Sequence, residues 1–168
     1  MSVPPSVTEA VQQHRVAVAR QAAVTAKLYV LASALQCLVG VVAERQAAPL
    51  LGMAAVSVWA WILLWSPSAK LVAGKAKAQN EVEFGCHFTV IVFIMFFVGG
   101  LLSLHTTKTP LEGALAVAHI VASAAVVVAA LGLRDQLREL RATQAAESDQ
   151  RCEEIMSQEP RSGGQGNG

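Results

Sequence analysis

Charge is what this sequence is short of, and it is missing in blocks. Asp, Glu, Lys and Arg make up 15% of the 168 residues, against about 25% in an ordinary soluble domain. None of them falls within Leu28–Ala43, Gln46–Ala69, Phe84–Thr107 or Gly113–Leu133. An aqueous globule does not concentrate its apolar residues in that way, so the solvent expected around these runs is lipid. A span needs roughly 20 apolar residues to cross a ~30 Å hydrocarbon layer, and three of the four runs meet that length. The first is shorter, rising about 24 Å. It is extended by Ala22–Ala26, with Lys27 snorkelling toward the headgroups.

Other scarcities exclude whole classes of function. The four charge-free runs hold no Asp or Glu, so nothing there orients a histidine for nucleophilic catalysis or supplies the buried carboxylate usual in proton-coupled transport. Four histidines are scattered in depth: His87 near the inner face, His105 at the outer edge, His119 mid-span and His14 on the lead helix. No two of them face each other as haem ligands must. Cys86 and His87 are adjacent and point about 100° apart on a helix, a poor start for a metal site. The expectation is no cofactor, no metal, no catalytic residue and no enzyme. A nucleic-acid partner is not expected either, since no basic patch interleaved with aromatics lies outside the span flanks.

The three cysteines, Cys37, Cys86 and Cys152, sit mid-span, at a span entrance and in the polar tail, which argues against a disulfide framework. Cys86 reads either as an acylation site near the interface or as a small buried thiol. Only two asparagines occur, Asn80 and Asn167, neither in an Asn-X-Ser/Thr acceptor. No cleavable signal peptide is visible, because the first apolar run starts near residue 28 after a long polar lead.

What is present reads as an all-α polytopic membrane protein, a four-helix transmembrane bundle with an N-terminal amphipathic helix and a short helical C-terminal extension. Residues 1–27 form the inner lead. Ser6 and Glu9 make an S-x-x-E capping box, and Val7, Ala10, Val11, His14, Ala17 and Val18 share one helical face. Such a helix either lies on the bilayer surface or runs on into the first span. The transmembrane domain is 28–133, with spans at about 28–43, 47–65, 84–104 and 111–133. Glu44-Arg45-Gln46 and His105–Pro110 are the tight connections, and Ser66–Glu83 is the longest loop, with room for a short surface helix starting at Ser66-Pro67. Residues 134–168 are a tail that is helical over Arg134–Ala146 and disordered by composition over Ser162–Gly168.

Orientation follows from Lys and Arg. Arg15, Arg20 and Lys27 flank the lead, Lys70, Lys75 and Lys77 the middle loop, and Arg134, Arg138 and Arg141 the tail, against single positives, Arg45 and Lys108, in the tight connections. Both termini are therefore expected on the cytosolic (or matrix) side. The endomembrane or plasma membrane is favoured. The mitochondrial inner membrane stays open because the acid-poor, Arg-containing lead loosely resembles an import sequence.

Span four carries a stripe of small residues, Ala114, Ala118, Ala122, Ala125, Ala129 and Gly132, suited to close helix packing within the monomer or at a dimer seam. Phe88, Phe93, Phe96 and Phe97 on span three are its bulky complement, and Gly99-Gly100 suggests a bend. Both second halves of the hairpins open on P-L-x-G-x-x-A-V, at Pro49–Val56 and Pro110–Val117, through duplication or convergence. Counting 1.5 Å per residue, Gln36, Ser57 and His119 fall at one depth on three spans, a candidate hydrogen-bonded node. Glu44 and Glu112 end spans on the outer side, where they either ring a vestibule or sit solvated. Two function classes result. One is a non-enzymatic accessory or organising component that packs with other membrane proteins or with itself. The other is a small transporter or channel-forming subunit using Gln36, Ser57 and His119.

Overall fold

The computed structural model describes residues 7–44 and 48–158. Every element among them is helical: α1 (Val7–Glu44), α2 (Ala48–Ala60), a π-helical turn (Trp61–Trp65), α3 (Ser66–Val72), α4 (Ala76–Ser103), a 3-10 turn (Leu104–Thr106) and α5 (Pro110–Gln158). Four helical stretches are long and apolar enough to cross a membrane: Thr8–Val42, Ala54–Val72, Lys77–Thr106 and Pro110–Met156.

The helices outrun the charge-free segments. α1 has 38 residues, about 57 Å, and α5 has 49, about 74 Å at 1.5 Å per residue. No Gly or Pro interrupts Val7–Val39 or Leu133–Gln158, and Lys, Arg, Gln and Glu are good helix formers. The change from charge-free to charged sequence therefore does not end either helix. The lead thus continues straight into the first apolar run, and the C-terminal extension passes Ala146 to reach Gln158. Ser66–Glu83 is not a loop. α3 and the start of α4 fill it, and only Ala73–Lys75 separate them, with Gly74 taking φ +79° where an L side chain would be strained. Ser6 of the capping box and Arg45-Gln46 of the first connection lie outside the described residues.

Two local features have clear causes. Pro67 has no N–H to give the Leu63 carbonyl four residues back, so the α pattern cannot pass through. The helix widens instead, and the Ser66 N–H bonds the Trp61 carbonyl five residues earlier. At the second connection Thr109 caps α5. Its hydroxyl accepts from the Glu112 N–H (3.2 Å), and the Glu112 carboxylate accepts from the Lys108 N–H (2.7 Å). Thr109-x-x-Glu112 followed by an apolar run is a capping signature, with Pro110 at the tolerant first position. It ties Glu112 into the turn.

α5 packs along both α1 and α4. Gln21 on α1 and Cys86 on α4 reach the adjacent carbonyls of Ala129 and Ala130 on α5, at 3.2 and 2.9 Å. A Cβ on Gly85 would overlap the Leu63 carbonyl of the π turn. These contacts fix the register, so that Arg20, Trp65, Phe84 and Arg134 stand within about one helical turn of a common level. One apolar core lies at and below that level, built from Val11, Val18, Leu64, Leu71, Val82, Leu133, Leu137 and Leu140. A second, smaller one lies above it, around Tyr29, Ala32, Ala60, Phe93 and Val126.

The surface changes at the same level. Nearly every exposed large apolar side chain lies above it; the exceptions are Val16, Val72 and the Ile155-Met156 pair. On α4 the exposed apolar residues run from Phe84 to Leu102, a rise of about 27 Å. Below, ion pairs cover the surface: Lys70–Glu81 at 3.4 Å, Arg151–Glu147 at 2.9 Å and a two-bond Arg141–Glu83 pair. Arg141 and Glu83 are 47% and 30% exposed, so water screens them. Glu83→Gln is expected to cost at most about 1 kcal/mol, and a thermal melt at high salt should reduce that difference toward nothing.

Candidate functional site: a buried histidine in the upper core

The inward face of α5 carries Ala116, His119, Ser123, Val126, Ala130 and Leu133, so its outer half is small and polar where its inner half is leucine. His119 is 1% exposed. Ala32 opposite it on α1 is small enough to let the ring reach the backbone, and Nδ1 lies 3.3 Å from the Ala32 carbonyl. A carbonyl only accepts, so Nδ1 carries the proton. Nε2 is then the acceptor for the Ser123 hydroxyl, at a long 3.5 Å. Phe96 tilts over the ring with centroids 6.2 Å apart. Gly100 closes the site from α4, since a Cβ there would stand 2.8 Å from Ile120 Cγ1 and 3.3 Å from His119 Cδ2. α4 stays helical through Gly99-Gly100, and Gly100 serves a close approach to α5.

The three residues expected to meet here do not. Gln36 is exposed one turn beyond Ala32, and Ser57 sits half-buried in a groove with Lys27, Val30 and Trp61. Residue counting put the three at one depth, but Gln36 lies a turn beyond the level of His119 and Ser57 lies beside Lys27 and Val30, on the inner side of that level. His119 takes its partners from the Ala32 and Phe96 backbones and from Ser123 on its own helix. The small-residue stripe is likewise divided. Ala114, Ala118 and Ala125 are exposed, Ala122 and Gly132 half-buried, and Ala129 buried, with Gly132 beside the Gln21 amide.

Four other interior hydroxyls bond backbone close by, Thr25 to Gln21 (2.9 Å), Ser33 to Tyr29 (2.8 Å) and Thr89 to Gly85 (2.7 Å) four residues back, and Ser68 to Trp65 (2.7 Å) three back. His14 and His87 do the same with Ala10 and Glu83, each at 2.9 Å, while His105 is exposed. Such bonds satisfy a side chain without leaving it free for chemistry. Cys86 is buried with its thiol on Ala130, Cys37 is half-buried and Cys152 exposed. Phe93 packs into the upper core, whereas Phe88 is on the outside, stacked between Trp59 (6.1 Å) and Phe84 (6.4 Å). Among the described residues no three His, Cys, Asp or Glu side chains converge as metal ligands would.

Sequence reasoning missed Gln21. It shares a face with Val18, Ala22 and Thr25, which marks it as inward, but its acceptor is a backbone carbonyl, and no residue type advertises that. Comparison with known proteins gives no match: no protein family, no curated protein and no solved structure corresponds to this chain.

Proposed function

We propose that this chain is a four-span integral membrane protein with both termini on the inner side, acting as a non-enzymatic organising or accessory component that packs with other membrane proteins or with copies of itself. The carrying observation is the exposed apolar belt. A soluble monomer rarely exposes a contiguous apolar patch beyond a few hundred Å², whereas this belt is about as tall as a bilayer core is thick. Trp61, Trp65 and Phe84 stand at its lower edge, where interfacial aromatics belong, and the basic residues of the inner flanks other than Lys27 lie at or below that edge. The organising role is supported by the interior, where the Thr25, Ser33, Ser68 and Thr89 hydroxyls are tied to backbone carbonyls, and by the exposed small residues Ala114, Ala118 and Ala125, which suit close helix contact in lipid.

A small transporter or channel subunit is the second reading, favoured by His119, an ionisable group buried at membrane depth. Purification in mild detergent followed by reconstitution decides between them. The organiser is expected to come down in a stable complex that His119→Ala leaves intact. Substrate or ion flux in liposomes that disappears in His119→Ala would establish transport instead. Carbonate washing that strips the chain from vesicles would end both.

A further inference from the structure

Lys27 stands out from the other cations. It lies seven residues above Arg20 on α1, a rise of about 10 Å, and so projects from the apolar belt rather than from its edge. It is exposed, and among the described residues it has no carboxylate partner. Its side chain lines a groove of about 340 Å³ between α1 and α2, walled by Val30, Ser57, Ala60, Trp61 and Trp65. Arg20, Val24, Lys27 and Leu31 are all exposed on the same stripe of α1, which places a second cation one step nearer the inner face.

We propose that this groove binds an anionic phospholipid of the inner leaflet. Lys27 and Arg20 hold its phosphate, and its glycerol and upper acyl carbons lie against Trp61 and Trp65. The proposal rests on the membrane reading above. A lysine stem spans only ~6 Å when extended, five bonds of ~1.5 Å projected on its axis, so the ammonium stops short of a headgroup plane ~10 Å away. An uncompensated charge at that depth is costly, and drawing a phosphate inward relieves it. An anionic lipid brings the countercharge on a group that remains hydrated. A carboxylate on a partner helix would have to be desolvated to reach the same place. The two indoles supply amphipathic walls at the depth where headgroup and chain meet.

The test uses the full chain with Trp59→Phe, which leaves Trp61 and Trp65 as its indoles. It is reconstituted in phosphatidylcholine vesicles containing a small fixed fraction of chain-brominated phosphatidylglycerol or chain-brominated phosphatidylcholine, whose bromines quench tryptophan on contact. The anionic lipid is expected to be enriched at the groove roughly fivefold, the size of one basic side chain's attraction near a membrane surface. Lys27→Arg should keep the enrichment and Lys27→Gln should abolish it. Equal quenching by the two lipids, or an excess that survives Lys27→Gln, overturns the proposal. So does an excess removed by inorganic phosphate, which would make the ligand phosphate alone, or one that tracks protein density in the vesicle, which would make it a second copy. Should Lys27→Gln fail to fold, native mass spectrometry of the parent chain decides: preferential retention of phosphatidylglycerol is expected, and indifference between the lipids overturns. A chain that stays in carbonate-washed vesicles without lipid preference sinks this site alone, whereas a chain that washes off sinks the membrane reading.

Discussion

Phe93→Ala should destabilise the bundle by about 3 kcal/mol, the lower part of the range for emptying a buried phenylalanine site. Phe93 is 0% exposed, set edge-on to Tyr29 at 4.7 Å and to Phe96 at 5.4 Å, and each aromatic pair adds about 0.5–1.5 kcal/mol beyond burial. If the surroundings are lipid, an unfolded helix still keeps the ring out of water, so the transfer contribution shrinks and lost packing dominates. Met95, two residues on and 69% exposed, is the control. Met95→Ala removes a somewhat smaller side chain that is mostly exposed, and its cost should be a small fraction of that at Phe93. Unfolding in a graded detergent mixture, followed by far-ultraviolet circular dichroism, measures both. Equal losses would mean that α4 is rotated from the position described.

Gly85→Ala should cost about 2 kcal/mol, within the usual range for overpacking, although alanine is the better helix former by about 1 kcal/mol. The sign is decided by what the new methyl meets. It would run into the backbone carbonyl of Leu63, which belongs to the π turn and cannot swing aside as a side chain can. Gly99 on the same helix has open space around its would-be Cβ, so Gly99→Ala should be neutral or stabilising by up to about 1 kcal/mol. The same detergent titration reads the pair, and opposite signs are the expected result.

Much of the architecture was legible because lack of charge is a long-range signal. Four runs without Asp, Glu, Lys or Arg gave four long apolar helices. What the runs could not mark was where helices end, since the polar residues flanking Leu28, Phe84 and Leu133 are themselves good helix formers. The π turn hides for a different reason. Its cause is one missing N–H at Pro67, and its consequence appears on another helix, at Gly85. At the buried histidine, residue counting showed that His119 lies inside an apolar run but gave neither a shared level with Gln36 and Ser57 nor its partners. Gln36 follows the same stripe as Tyr29 and Ala32, yet the imidazole is met a turn earlier by a carbonyl. Gln21 and Cys86 likewise bond to backbone, and every residue has a carbonyl.

The pairing of α1 with α5 sets the order of assembly. A ribosome makes α1 well before α5 exists, so the side of α1 that carries Val11, Val18 and Ala22 waits without its main partner while the intervening helices are synthesised. Contacts this distant along the chain close late and slowly, and surface left open in the interval invites wrong associations. A helper that shields the nascent first helix would therefore raise the yield of properly assembled protein.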